Sequence, residues 1–302
     1  MKRVVIDASV VIKLFFEEEH SAAAERSVQQ GQELLAPDMI NAARACGIVE
    51  IGFADHCEAV DVKSRRWCKS LVSEDVPSYI AAIEACARAS RDMLVRRGLE
   101  VEWFPEDGMK IGELPERNRL DFVIGSIHHI GSLALYDDQS EHLNSTKGAA
   151  RKLIEEYWQL VRLAAESGLF DVIGHLDYFK VRGQLSASAP SLAASCALDA
   201  IERAGIAIEL NVSGWKAPCR EAFPSDDLLK ECNRRRIPVV LSSDAHSARG
   251  IVDGVVAGGR KLREAGYSDT CGFCERRRYG IALPPKEIQA HTVAPSDGFM
   301  RG

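Results

Sequence analysis

The chain of 302 residues has no apolar run near the roughly 18 residues that a membrane-spanning helix needs. Its 38 lysines and arginines are outnumbered by 44 acidic residues, which gives a net charge of −6. A chain of this charge has no general attraction for nucleic acid or for an anionic membrane, so we expect neither as a partner. The N-terminal run VVIDASVVIKLFF is interrupted by Asp7 and Lys13 and lacks a small-residue cleavage site, so we expect no signal peptide.

The cysteines do not have the spacing of a disulfide framework. There are nine of them, an odd number, and several lie in helix-like segments. This pattern is typical of free thiols in a reducing cytoplasm, which is the location we expect. Cys271 and Cys274 form an isolated CxxC pair, which is a weak signal for zinc or redox chemistry, and we interpret it as chance. The apolar fraction of 46% and the charged fraction of 27% are ordinary for a soluble globular protein.

Short apolar, strand-like runs alternate with helix-like stretches along most of the chain. The runs read VEIGFADH, LEVEWF, DFVIGSIHH, DVIGHLD, AIELNVSG and VVLSSDAH. They make about six strand–helix units, and a further strand over residues 3–12 would bring the total to about seven. Apolar strands of this kind favour a parallel sheet that is covered on both faces. The sequence therefore predicts an α/β fold, a barrel of the TIM-like type.

Apolar spacing and terminal glycines indicate where the helices lie. Helices are predicted over residues 17–30, 37–46, 77–97, 148–167 and 255–265, with glycine stop signals at Gly47, Gly98 and Gly168. Residues 105–119 contain prolines, glycines and charges and are predicted as a loop. The segment from about residue 285 to the C-terminus is predicted to be a disordered tail.

Metal-binding residue types recur at the ends of the apolar runs. They are His56, Glu100, His128, His175, Asp244 and His246. Because the carboxyl ends of barrel strands converge on one face, we expect these side chains to meet there. A single histidine after an apolar run is usually a packed core residue, but packing does not explain the repetition of this context. Imidazoles and carboxylates gathered at one point indicate a divalent-metal site.

The motifs GFADH, GLEVEW, GSIHH, GHLD and SSDAH, in this order, resemble the PHP (polymerase and histidinol phosphatase) family over about residues 37–283. The chain looks most like the monofunctional histidinol-phosphate phosphatases of that family. The resemblance implies a distorted seven-stranded barrel that holds two or three divalent ions, manganese, iron or zinc. It implies metal ligation by the six residues above, with Glu100 bridging two ions, and it places Asp244, His246 and His175 at the reacting centre.

The resemblance implies hydrolysis of L-histidinol phosphate to L-histidinol and phosphate, so the expected partner is a small phosphorylated metabolite. Bound cations would neutralise the phosphate dianion and lower the pKa of a bound water. Basic residues in or near loops expected to face the site are candidates for phosphate binding, namely Arg182, Lys216, Arg220 and Arg276. Asp55, Glu102, His129 and Asp177 are candidates for orienting the ligating imidazoles.

The N-terminus departs from the family pattern, which opens with a strand ending in His-x-His. No histidine precedes His20 here, and residues 1–36 instead resemble the start of a PIN-domain toxin ribonuclease, in which Asp7 would hold Mg²⁺. We hypothesise that RVVIDAS forms the first barrel strand and that Asp7 is an additional metal ligand. The expected organisation is a PIN-like fragment over 1–36, a PHP-type barrel over 37–285 and a tail over 286–302, with a reduced metal count.

Three other interpretations remain open at the level of sequence. The chain could be another phosphoesterase of the same family, such as a nuclease or a nucleotide phosphatase. It could be a PIN-type ribonuclease that uses Asp7. It could also be an inactive fusion that folds poorly, since loss of a first strand exposes two sheet edges.

Overall fold

A closed ring of parallel β-strands forms the centre of the protein. The computed structural model describes residues 5–8, 36–58, 71–136, 147–183, 185, 191–246 and 248–283. The strands are β1 Val5–Ala8, β2 Glu50–Glu58, β3 Leu71–Val72, β4 Leu94–Glu102, β5 Phe122–Ser126, β6 His129–Ile130, β7 Leu133–Ala134, β8 Val172–Ile173, β9 Ala207–Asn211, β10 Val239–Ser242, β11 Asp269–Cys274 and β12 Arg277–Ala282. Within these ranges the order around the ring is β1-β10-β9-β8-β5-β4-β2, and β3 extends it beside β2.

The strand β1 closes the ring, as the sequence predicts for RVVIDAS. It pairs in parallel with β10 on one side and with β2 on the other. Asp7 is the register partner of Ser242 on β10 and of Gly52 on β2. Most of the remaining residues of the segment predicted as PIN-like, and the predicted helix over 17–30, lie outside the described residues, as does the predicted tail over 286–302.

Helices cover the outer face of the ring. They are α1 (36–45), α2 Val76–Ala89, α3 Gly108–Asn118, α4 Lys147–Glu166, α5 Leu192–Ala204, α6 Asp226–Arg234 and α7 Ala248–Glu264. Large apolar side chains between helices and strands are fully buried, among them Met39, Phe53, Tyr79 and Trp158. The parallel strands are therefore buried on both faces, which explains why their sequences read as nearly continuous apolar runs. In the part of the chain described here, no helix has the length and apolar character to span a membrane.

Two of the sequence predictions for secondary structure are wrong. The helix predicted over 77–97 ends at Ala89, and β4 already begins at Leu94. The charged residues Arg96 and Arg97 interrupt the apolar pattern that marks a strand in the sequence. In the fold they form ion pairs with Glu50 and Asp121 at the amino ends of the strands.

The segment over 105–119, predicted as a loop, is largely helical. A 3₁₀ turn at Pro105–Asp107 leads into α3, which contains Pro115. Ile111 and Leu114 are buried on one side of this helix. Proline and glycine lowered the helical signal of the segment, and the burial of an apolar stripe outweighs that local preference.

A hairpin formed by β11 and β12 closes the amino-terminal end of the ring. Cys271 and Phe273 of β11 pack inside the ring against Phe122 and Val240. The CxxC pair lies in this strand, with the Cys271 thiol directed at the Val239 carbonyl oxygen at 3.3 Å. The cavity lined by Phe122, Val240 and Phe273 measures only about 20 Å³, so the hairpin packs closely inside the ring. A larger cavity of about 400 Å³ lies beside the hairpin, next to Pro238 and Tyr279.

Gly98 illustrates how tightly the interior of the ring is filled. A Cβ atom at this position would lie 2.3 Å from the Phe122 ring. We expect Gly98→Ala to lower the free energy of unfolding by about 1–3 kcal/mol, because overpacking a close-packed core forces neighbours to move. Urea denaturation measures this change.

Gly259→Ala is the matched control, because a Cβ atom there would meet no atom within 4 Å and the residue lies in α7. This substitution should be neutral or stabilise by up to about 1 kcal/mol through helix propensity. Equal effects of the two substitutions would contradict the packing described for Gly98.

Candidate metal centre

The carboxylate of Glu100 lies at the centre of a group of imidazoles inside the barrel. Its Oε1 atom is 3.1 Å from His175 Nε2 and 3.6 Å from His128 Nε2, and its Oε2 atom is 3.7 Å from His56 Nδ1. The ligand atoms of His56, Glu100 and His128 all lie within 4.8 Å of one another. Four of the residues expected to be ligands, namely His56, Glu100, His128 and His175, therefore lie close together, at the carboxyl ends of the strands.

Strand register explains this convergence. His56 on β2 and Glu100 on β4 are direct register partners in the parallel sheet. Side chains alternate between the two faces of a strand, so Glu100 and Glu102 share one face. His128 follows the end of β5, the next strand in the ring. Three neighbouring strands thus direct their polar residues to the same side of the ring.

Glu102 fixes the orientation of His128. Its Oε2 atom is 2.6 Å from His128 Nδ1, and its Oε1 atom accepts hydrogen bonds from the backbone N–H groups of His128 and His129. Nε2 of His128 is the ring nitrogen that faces Glu100. A carboxylate that holds one ring nitrogen while the other faces the ligand position is the usual support of a metal-binding histidine. Burial alone would raise the pKa of Glu102, but His128 and His129 lower it to about 2.

The role expected for Glu102 and His129 fits this arrangement, whereas Asp55 and Asp177 lie elsewhere. His129 Nδ1 is 3.1 Å from Glu102, and the Tyr136 hydroxyl is 3.3 Å from His129 Nε2. Asp55 precedes His56 on β2 and so lies on the opposite face of the strand. Asp177 is paired with Lys180 rather than with an imidazole.

Two of the expected ligands have a left-handed backbone. The φ angles are 20° at His175 and 45° at Asp244. Such conformations are unfavourable for residues other than glycine and are concentrated at functional sites. The His175 N–H donates to Glu209 Oε2 at 2.6 Å, and the Tyr157 hydroxyl donates to the His175 carbonyl oxygen at 3.4 Å. The turn after β8 is therefore held by its surroundings.

Asp244 is held by the last residue of β9 and by a residue of the loop that follows this strand. Asn211 Nδ2 and Ser213 Oγ donate to its Oδ2 atom at 3.2 and 3.0 Å. His246 lies at the rim, where its side chain is 39% exposed and its Nδ1 atom is 3.8 Å from Asp244 Oδ1. Asp244 and His246 therefore lie next to each other after β10, and their part in the metal centre stays a prediction.

The charge states of the buried groups favour metal ligation. Burial lowers the pKa of His56 to about 4, against the attraction of Glu100, so its imidazole is neutral. Burial opposes ionisation of Glu100, but the neighbouring histidines outweigh it and hold the pKa well below its usual value. Burial would also lower the pKa of His175, but its hydrogen bond with Glu100 raises it to about 9. A cation that binds His175 would replace that proton.

The donor set fits a divalent cation. His175 Nδ1 is buried and has no hydrogen-bond partner in the part of the chain that the structure describes. Imidazole nitrogens and carboxylate oxygens are the ligands that zinc, iron and manganese take in proteins. The centre is thus suited to divalent metals, with His56, Glu100, His128 and His175 nearest to one another.

Sequence reasoning missed four residues of this region. Glu209 and Asn211 are buried on β9 and contact His175 and Asp244, Ser213 follows them, and the Tyr178 ring lies 4.4 Å from the His175 ring and 4.9 Å from the His128 ring. The alternation of Glu209 and Asn211 within an apolar strand was a usable signal, since it places two polar side chains on the inner face. Nothing in the sequence distinguishes Tyr178 from other loop aromatics.

Three of the four candidate phosphate-binding residues lie on loops at the carboxyl end of the ring. Arg182 follows the 3₁₀ turn Tyr178–Lys180 after β8, and Lys216 and Arg220 follow the turn Ser213–Trp215 after β9. Lys216 and Arg220 are exposed.

Arg276 lies at the opposite end of the ring, so we no longer assign it to phosphate binding. Its Nε atom is 2.5 Å from Asp171 Oδ2, and its Nη2 atom donates to the Leu169 carbonyl oxygen at 2.7 Å. Both partners precede β8, on the amino-terminal side. The reason is topological, since Arg276 forms the tip of the β11–β12 hairpin that closes that end.

Comparisons with known proteins identify a family for the chain. The family described as PHP domain matches residues 25–213. A probable histidinol-phosphatase of Deinococcus radiodurans is 36% identical over 208 residues, which are 68% of this chain and 77% of that protein. The match of the PHP domain begins inside the segment predicted as PIN-like, and these comparisons give no support to that interpretation. The boundary at residue 36 stays a prediction.

Two solved structures share the fold. The putative histidinol phosphatase of Listeria monocytogenes has a TM-score of 0.69 at 15% identity, covering 85% of this chain and 99% of that one. The histidinol phosphate phosphatase of Lactococcus lactis, complexed with zinc, L-histidinol and phosphate, has a TM-score of 0.65 at 20% identity, covering 92% of this chain and 98% of that one.

Replacing Glu102 by glutamine tests the support of His128. Glutamine keeps the shape of the side chain but loses the charge that fixes the imidazole. We expect Glu102→Gln to weaken zinc binding by about 10–100-fold, as is usual for groups that orient a metal-binding histidine. Competition with a chromophoric chelator measures this affinity. Glu116→Gln, at an exposed position of α3, is the control, and equal zinc affinity in both variants would contradict the role of Glu102.

Proposed function

The chain belongs to the PHP family, and we propose that it is a metal-dependent phosphomonoesterase that hydrolyses L-histidinol phosphate to L-histidinol and phosphate. The observation that carries this proposal is the buried Glu100 carboxylate in contact with the imidazoles of His56, His128 and His175. The similarity to the Deinococcus radiodurans protein supports the substrate, since it extends over most of that protein's length.

We assign metal ligation to His56, Glu100, His128, His175, Asp244 and His246. When bound, divalent ions would neutralise the phosphate dianion and lower the pKa of a water at the site. The two oxygens of Glu100 face different partners, since Oε1 faces His128 and His175 whereas Oε2 faces His56. This division of the two oxygens supports a bridging position for Glu100 between two ions.

We assign substrate binding to basic residues on the loops above the metal centre. Arg182, Lys216 and Arg220 lie on the two loops after β8 and β9, where a phosphate above Glu100 would need positive charge. His246 lies at the rim beside Asp244, where its side chain is 39% exposed. His175 and Asp244 are kept in fixed conformations by Glu209, Asn211 and Ser213, so the reacting centre is pre-organised.

We expect the first strand, β1, to supply fewer metal ligands than the family pattern provides. Asp7 occupies β1 at a register position beside Gly52 and Ser242, on strands that carry His56 and Asp244 farther along. We propose Asp7 as an additional ligand in place of the family's His-x-His. One carboxylate supplies fewer ligands than two imidazoles, so the ion bound there should be held more weakly than the ion beside Glu100. Manganese, iron and zinc are the candidate ions.

Phosphate release from histidinol phosphate in the presence of Mn²⁺ or Zn²⁺ is the direct test. We expect release by the wild type and a reduction of kcat by about 100-fold or more in Asp244→Asn, comparable with the loss of a group that stabilises transition-state charge. Asp227→Asn, at a side chain that is 97% exposed on α6, should keep wild-type activity. A folded wild type without metal-dependent release would contradict the proposal.

Substituting one arginine at each end of the barrel distinguishes a role in substrate binding from a role in stability. Arg182→Met should raise KM for the phosphate ester by about 10–100-fold, because a hydrogen bond to a charged group contributes about 1.5–3 kcal/mol. Arg276→Met should leave KM unchanged and lower the melting temperature instead, because it removes the contacts with Asp171 and Leu169. Steady-state kinetics and thermal unfolding measure both effects, and a raised KM in Arg276→Met would restore that residue to the site.

A further inference from the structure

A buried ion pair lies between the loop that carries His175 and the loop that follows β9. Lys180 Nζ is 2.8 Å from Asp177 Oδ2, and the two residues are only 5% and 3% exposed. The same ammonium group donates to the Ala222 carbonyl oxygen at 2.9 Å and lies 3.1 Å from Glu221 Oε2. Lys180 thus reaches from its own loop to the neighbouring one.

Asp177 makes the reciprocal connection. Its Oδ2 atom accepts a hydrogen bond from the Ser225 N–H at 3.0 Å, just before α6 begins. The two loops are therefore joined twice, by Lys180 to Ala222 and by Asp177 to Ser225. We refer to Asp177 and Lys180 as the loop clamp.

Phe223 lies between the two connections of the loop clamp. Its backbone N–H and C=O form a pair of hydrogen bonds with Asn211, at 2.9 and 2.7 Å. Its ring lies 5.4 Å from Lys180 Nζ and packs against the rings of Tyr178 and His175, at 5.5 and 6.3 Å between centroids. The loop clamp therefore holds the two loops in contact next to His175.

The loop clamp links two ligands that come from different strands. His175 precedes Asp177 by two residues and has the unfavourable φ of 20°. Asp244 is held by Asn211 and Ser213, and Asn211 is tied to Phe223. The loop over 221–225 thus contacts, through Phe223 and Asn211, the groups that hold Asp244, whereas the turn over 175–180 carries His175.

A contribution to folding stability does not account for the loop clamp. A buried ion pair gains little net stability, because the desolvation of both charges offsets most of their attraction. Asp177 Oδ1 is also buried without a hydrogen-bond partner among the residues that the structure describes, which is unfavourable in itself. The pair does fix the arrangement of the two loops, since the ammonium group of Lys180 contacts three oxygens at fixed positions.

We propose that Asp177 and Lys180 are positioning residues that set the distance between His175 and Asp244 and so determine the affinity of the metal centre and the rate of hydrolysis. This inference rests on the proposed function for its kinetic part, whereas its metal-binding part can be tested independently.

The test compares Lys180→Met with the wild type by kcat, KM, zinc affinity and melting temperature. Methionine keeps the length and apolar stem of the side chain but loses the ammonium group. We expect zinc affinity and kcat each to fall by about 10–100-fold, in line with other groups that orient metal ligands, with a smaller change in KM. Lys152→Met is the control, because Lys152 is 79% exposed and pairs with Glu156 on the surface of α4.

Asp177→Asn is the second variant, in case Lys180→Met does not fold. Asparagine keeps an oxygen that can accept from Ser225 and loses only the charge, so it should fold and show a smaller loss in the same direction. A folded variant with kcat and zinc affinity equal to the wild type would overturn the inference, even if its melting temperature fell. If the wild type does not hydrolyse histidinol phosphate, the proposed function fails, and zinc affinity still decides whether the clamp positions the ligands.

Discussion

The structure depends on one buried negative charge, the carboxylate of Glu100. An ionised carboxylate inside a barrel is costly unless positive or polar groups surround it. His56, His128 and His175 and the Ser126 hydroxyl, which donates at 2.7 Å, provide that surrounding here. The same groups that make the charge tolerable are those that bind divalent cations, so the stability of the site and its chemistry arise from the same contacts. Glu102, whose pKa is lowered by His128 and His129, repeats this principle one step farther from the centre.

The second constraint is closure of the ring. Parallel strands must be paired on both sides if no edge is to remain open, and the short strand β1 meets this need between β10 and β2. Its sequence lacks the histidines that the family resemblance leads one to expect at this position. The fold requires only a strand that pairs there, whereas the chemistry requires particular side chains, so β1 can fulfil the first requirement independently of the second.

Most of the barrel and its inner polar residues were predictable because strand ends converge. The apolar runs identified the strands, and the residues following them, such as His128 and His175, identified the centre. The prediction failed where long-range contacts outweigh local preference. Arg96 and Arg97 disguise a strand because their partners lie elsewhere in the chain, and the helix containing Pro115 forms because Ile111 and Leu114 are buried. Arg276 appeared suitable for phosphate until the hairpin placed it at the opposite end. Lys180 gave no signal at all, since only the folded chain brings Ala222 and Glu221 to it.

The hairpin of β11 and β12 determines from which end of the barrel a molecule can reach Glu100. Cys271 and Phe273 pack against Phe122 and Val240 inside the amino-terminal end, and the cavity between these side chains, about 20 Å³, has room for about one water. The barrel is therefore a cup rather than a tube. The packed hairpin thus leaves the carboxyl end, where His246 and the loops joined by Asp177 and Lys180 lie, as the side from which Glu100 is approached. Substrate and products would then pass through the same end of the barrel.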